Sequence, residues 1–268
     1  MENKLTQKII NAGLSLFSEP LTFKKALLLC FYLIGLYYSA QFLAYWFNLS
    51  TGIIPGLIFL AAIIFIAAGM GKDELNKILV WRNIPIAVFA GVMILFFGFN
   101  ILRSELRNLF QILLPLPDGF FNAGYPATNI IFIIISTGLF PGFSEEIFFR
   151  GIIARRFFRI YSPVKSILLS AVLFGMLHLN PWQAVNAFIG GIFYGWVYWR
   201  YRSIWLCMFT HAYSNILAVL MPLPFKNSFN NYYEETWHHP AWLIILGAAL
   251  FVLGLLIVIA LSRKEKTN

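Results

Sequence analysis

Charge is what this sequence has least of. Of its 268 residues only 12% are charged, about half the share of an ordinary soluble domain, where roughly 25% is usual. Hydrophobic residues make up 60% and the mean hydropathy is +0.75. A soluble domain is excluded, and the composition is that of a polytopic membrane protein. Cysteine is nearly absent as well. Cys30 and Cys207 both lie in apolar stretches and read as small packed residues, which excludes a disulfide scaffold and leaves the redox compartment open. No HExxH run and no Cys/His cluster with ligand spacing occurs, so the commonest zinc-protease signature is missing. There is no internal repeat and no pair of broken helices, which argues against a small transporter. No low-complexity linker divides the chain, so residues 1–268 read as one membrane domain.

What the sequence does have is apolar length. A spanning helix needs roughly 20 mostly apolar residues. Eight stretches qualify: Lys25–Phe47, Gly52–Met70, Ile84–Leu102, Thr128–Arg150, Lys165–Leu179, Trp182–Trp199, Ile204–Met221 and Pro240–Leu261. The expected fold is therefore all-α, a polytopic membrane helix bundle of about eight transmembrane helices. The fifth stretch is short, and Pro141-Gly142 is placed to bend the fourth. The first is too long for a signal-peptide core and is expected to be retained. Residues 1–23 and 103–117 carry mixed apolar and charged positions and are expected to lie as interfacial helices.

The basic residues set an orientation. Most of the 20 Lys and Arg fall in alternate loops, which by the positive-inside rule places both termini in the cytoplasm, as in a prokaryotic inner or plasma membrane. The net charge of +9 is spread over five loops, where it meets anionic headgroups; the expected partner is the lipid bilayer and no nucleic acid is implied.

Against this background Glu145 and Glu146 stand out, since no other acidic residue lies between Asp118 and Glu234. An ionisable group within a bilayer is costly and is a functional candidate by default. The others inside the predicted spans are Arg150, His178 and His211, with Asn215 beside them. At ~1.5 Å per residue, each lies roughly 10 to 20 Å below the cytoplasmic surface, so three helices deliver their polar residues to one layer. Glu146 and Arg150 are four apart and share a helix face, so they can pair. Glu145 is turned about 100° away and lacks that cation. His211 and Asn215 are also four apart, as are Phe174 and His178. A carboxylate beside an imidazole can hold and deprotonate a water; a His/Asn pair can stabilise an oxyanion. Together these are what amide hydrolysis requires.

Three short motifs occur in order on successive segments: EEIFFR (145–150), FGMLH (174–178) and HAYSN (211–215). They fit EExxxR, FxxxH and HxxxN, and with them the chain resembles the CPBP family of intramembrane proteases, also called the type II CAAX prenyl endopeptidase or abortive-infection family. The resemblance covers residues 128–222, as a catalytic core. It implies an eight-helix fold with a central cavity and endopeptidase activity on a membrane-associated peptide or protein. It makes Glu145 the general base, His178 its water-binding partner, and His211 with Asn215 the oxyanion site. Glu146, Arg150 and Phe174 become supporting residues. No cofactor is expected. Were the enzyme to use zinc or another divalent metal, Glu145, His178 and His211 would be the ligands.

Plainer readings stand beside these. A Glu–Arg pair can be purely structural, and a membrane histidine often only bonds a neighbouring helix. His238 and His239, beside Trp237, are expected at an interface. Gly190, Gly191 and Gly195 are expected to permit close helix packing, and Asn186 to reach the cavity. The rival function is a non-catalytic membrane scaffold or immunity factor that binds a peptide or a sensor protein.

Overall fold

The computed structural model describes residues 20–48, 53–69, 76–80, 82–115, 130–220 and 239–264. Among them are eight helices of 14 residues or more and no strand. We number them α1 (Phe23–Trp46), α2 (Ile53–Gly69), α3 (Ile86–Leu113), α4 (Ile130–Ile160), α5 (Pro163–Met176), α6 (Pro181–Tyr201), α7 (Ile204–Leu220) and α8 (Ala241–Lys264). Each coincides with one of the predicted apolar stretches. By length and composition α1, α3, α4 and α8 can cross a membrane, and α2 and α5 contain shorter apolar helices. This is an integral membrane protein. The two helices outside that set, α6 and α7, carry polar groups such as Asn186, Arg200, His211 and Asn215. Their packing explains why this is tolerated: much of each lies buried against neighbouring helices, where lipid-facing hydropathy is not required.

Two boundaries differ from expectation. Residues 103–113 form no separate interfacial helix; they continue α3. The charge of Arg103 does not end the helix because its guanidinium is satisfied inside the bundle, donating from Nη2 to Asn100 Oδ1 and to Ser214 Oγ, both at 2.7 Å. Likewise α4 runs past Arg150 to Ile160. Arg155 turns its Nε back onto the Gly151 carbonyl at 2.9 Å, and Arg156 is buried. The expected interfacial segment 1–23 lies, up to residue 19, outside the described residues, as does His238.

The fourth helix is irregular where the motif sits. It is π-helical over Ile134–Leu139 and Ile147–Ala154, with an α-helical segment, Phe140–Glu146, between. Pro141, expected to bend the helix, lies directly after the first π segment, and proline and π-bulges are both common sites of helix kinks. A π turn shifts backbone pairing by one residue and is frequent at functional sites. Side chains also reach carbonyls of the second π segment: Ser170 Oγ donates to Phe149 O at 3.4 Å.

Close contacts then fix how the helices meet. A Cβ on Gly142 of α4 would stand 2.7 Å from the backbone N and Cα of Ala212 on α7. Only glycine allows that approach, and it sets the double glutamate beside His211. As expected, Gly191 and Gly195 bring α6 onto α5, facing Ala171 and Ile167. Cys30 and Cys207 are both buried and unpaired.

Candidate active site

The central group is Glu146. Its side chain is fully buried, and Arg150 Nη1 donates to its Oε1 at 2.9 Å, as the spacing predicts. The same oxygen lies 2.8 Å from His211 Nδ1. A carboxylate paired with a guanidinium only accepts, so the proton of this contact sits on Nδ1. The sequence shows a closed Glu–Arg pair; the fold makes it a three-membered chain, Arg150–Glu146–His211, that joins α4 to α7. Arg150 is further held by the Gly191 carbonyl of α6, 2.9 Å from Nη2.

Glu145 points elsewhere, as expected for the next residue on a helix. Its Oε2 is 3.9 Å from His211 Nε2, beyond hydrogen-bond range. It opens onto a cavity of about 220 Å³ that His178 also lines. His178 lies past the end of α5 rather than on its face, because the helix stops at Met176. The Phe174 carbonyl thereby loses its helical donor and is capped by His178 Nδ1 at 3.0 Å, so Nε2 is left with a lone pair. The chain then turns sharply, with Leu179 at φ 52°.

Phe174 holds the two histidines apart and in place. Its ring meets that of His178 edge-on at 5.4 Å and that of His211 at 5.6 Å. The Arg150 guanidinium lies over it at 4.9 Å, within the range of a cation–π attraction. Asn215 follows His211 by one turn of α7 and is half-buried. Among the described residues no hydrogen bond ties it to the cluster. Asn186 is half-buried, but the cavity takes its polar α6 residue from Gln183 instead.

Tyr194 and Arg103 belong to the site although no motif contains them. The Tyr194 ring stacks on His211 at 4.8 Å and 21° and accepts the Arg150 guanidinium at 5.2 Å. Behind it, Arg103, Asn100 and Ser214 form a closed polar knot, with Ser214 Oγ 3.2 Å from Asn100 Oδ1. The only sequence sign of this was a charge at the end of an apolar run, which reads equally as a boundary.

Among the described residues no three His, Cys, Asp or Glu side chains converge as ligands, and the trio Glu145, His178 and His211 does not form such a group. His239, expected at an interface, lies just before α8 and is buried against neighbouring side chains. Its Nε2 is 2.6 Å from Ser104 Oγ, and its backbone N–H donates to Glu105 Oε2 at 3.0 Å. Burial lowers its pKa, partly offset by Glu105.

Residues 127–217 match the family model described as type II CAAX prenyl endopeptidase Rce1-like. That segment holds all three motifs, and the match supports a CPBP-family protease. No curated protein and no solved structure gives a match to the chain.

Proposed function

We propose that the chain is an intramembrane endopeptidase that hydrolyses a peptide bond of a membrane-associated peptide or protein, using water activated by Glu145 and His178. One observation carries the reading: these two side chains come from different segments and line one cavity. The hydrogen-bond roles support it. The Glu145 carboxylate and the His178 Nε2 lone pair are both acceptors. A water between them donates both hydrogens and turns a lone pair toward a substrate carbonyl. As the water oxygen bonds to that carbon, Glu145 takes a proton; as the C–N bond breaks, the proton passes to the leaving amine.

The carbonyl oxygen becomes negative in between. Asn215 is an amide donor on the same helix as His211. His211 Nδ1–H is engaged by Glu146, so the ring donates from Nε2 only when protonated there as well. An oxyanion role for His211 therefore depends on Glu146, which fixes the orientation of the ring through Nδ1. We route no step through a metal, because the donors that would hold one do not converge.

In this reading both termini are cytoplasmic and all eight helices cross or enter the bilayer of a prokaryotic inner or plasma membrane. A scaffold that merely binds a partner leaves the ionisable lining of the cavity without a purpose. The test is comparative peptidomics of cells carrying the wild type or Glu145→Gln. Peptides that appear only with the wild type are the expected result. Identical peptidomes, with both proteins folded and inserted, would remove the protease reading.

A further inference from the structure

The cavity that Glu145 and His178 share has a second wall, and that wall lies outside the matched segment. It is built by α1 and α2, with Leu33, Ile34, Tyr37 and Tyr38 from the first and Gly56 and Phe59 from the second. Across from them stand Phe140 and Leu177. Tyr37 is braced edge-on against Phe59 at 6.2 Å. Gly56 gives the Phe140 ring its berth: a Cβ there would stand 3.1 Å from Phe140 Cε1, so a larger side chain crowds that ring where both line the cavity.

The chemistry of this wall is narrow. Among the described residues that line the cavity none is a Lys or Arg, so none of them offers a permanent cation to an acidic side chain or a terminal carboxylate. The hydroxyls of Ser136 and Ser144 are committed to carbonyls of their own helix, Phe132 O at 2.8 Å and Phe140 O at 2.9 Å. The rest is mainly aromatic and aliphatic. Size decides between two apolar occupants. Pockets that enclose a drug-sized ligand run to about 300–1,000 Å³, and the volume here is about 220 Å³. That suits one large side chain and not a whole prenyl chain.

We propose that the α1/α2 wall, with Phe140, is a side-chain subsite that receives one large uncharged residue, aromatic or long aliphatic, of an unmodified peptide beside the bond that Glu145 and His178 attack. The proposal rests on the endopeptidase reading and adds the substrate class to it. Gly56 and Phe140 set the size limit.

The experiment uses the full chain in detergent, with a thiol introduced on either side of the cavity as Ile34→Cys or Leu177→Cys. Each is labelled with a small methanethiosulfonate reagent in the presence of N-acetyl-phenylalanine amide, N-acetyl-alanine amide or N-acetyl-S-farnesyl-cysteine. The native cysteines are buried, and labelling of the wild type provides the background. We expect the phenylalanine amide to slow labelling at both positions about tenfold more than the alanine amide, the order of discrimination a hydrophobic pocket achieves. Equal protection by the two amides, or stronger protection by the farnesyl compound, overturns the subsite. In parallel, a mixture of unmodified synthetic peptides is digested by the wild type, Gly56→Val and Glu145→Gln. A preference for large apolar residues that Gly56→Val moves toward small ones supports the proposal, and a preference that Gly56→Val leaves unmoved overturns it. Selective protection without any Glu145-dependent cleavage instead overturns the protease reading and leaves a binding cavity.

Discussion

The α3–α8 pair and the α4–α7 pair are laid together by the same device and carry different contents. In the first, Gly98 and Gly254 let the backbones touch: a Cβ on Gly98 meets the Phe251 backbone, and one on Gly254 meets that of Leu95. Apolar side chains such as Val92, Leu95 and Val258 are buried along this pair. In the second, Gly142 meets Ala212 and Gly138 meets Ile216, but the residues so brought together are Glu145, Glu146 and His211. Close approach between apolar helices strengthens packing. Close approach between helices that bear ionisable groups also creates hydrogen bonds that no single helix contains. The α3–α8 seam is thus expected to answer for stability alone, and the α4–α7 seam for stability and chemistry together.

The largest effect that tests this difference is at Glu145. Removing a general base typically costs about 10²–10⁴-fold in rate, so Glu145→Gln should abolish detectable cleavage. Among the described residues its side chain has no partner within hydrogen-bond distance, so its melting temperature in detergent should stay close to that of the wild type. Cleavage by a well-folded Glu145→Gln protein would move the base elsewhere.

Next come the partners of Glu146. Breaking one member of a buried ion pair costs about 3–5 kcal/mol, because the survivor is left buried and unpaired. Glu146→Ala and Arg150→Ala should each lose stability on that scale, and the double variant much less than their sum, measured as a double-mutant cycle. The three-membered chain adds a second expectation: Glu146→Ala also frees the His211 ring, so activity should fall further than in Arg150→Ala at matched stability. Additive losses would mean that the pair is not coupled.

How this site came to be readable is instructive. The eight helices are legible because each falls on an apolar run of the sequence. The link between Glu146 and Arg150 is legible because it is local, four residues within one helix. What the sequence does not display are contacts that arise only when helices pack. The bond from His211 to Glu146 spans 65 positions, and the support that Arg103 receives from Ser214 spans 111. No periodicity encodes either. The position of His178 is hidden for a related reason: the apolar run continues past Met176, although the helix ends there.

The two seams themselves can be compared directly with Gly142→Ala and Gly254→Ala. Each inserts a methyl against a neighbouring backbone, an overpacking that typically costs about 1–3 kcal/mol. In Gly254→Ala the folded protein should retain its cleavage rate. In Gly142→Ala the helices that carry Glu145 and His211 are forced apart, so cleavage per folded molecule should drop. Rates and melting curves on both variants decide it, and equal specific activity in the two would erase the distinction between the seams.

The smallest effect concerns Leu179. Its φ of 52° is left-handed backbone, which costs a non-glycine residue roughly 1–2 kcal/mol. Glycine removes that cost but adds about 0.5–1 kcal/mol of lost chain entropy. Leu179→Gly should therefore change stability by about 1 kcal/mol or less, on the stabilising side. Asn48 has a similar φ, 56°, at the end of α1, and asparagine tolerates it, so Asn48→Gly is the control. The difference between them lies in what each turn holds. Leu179 directly follows His178, and a leucine kept in this conformation restricts how the imidazole enters the cavity. Leu179→Gly should lower the cleavage rate severalfold with no loss of melting temperature, whereas Asn48→Gly should leave both unchanged. If Leu179→Gly cleaves as fast as the wild type, the Phe174 carbonyl alone is enough to aim His178.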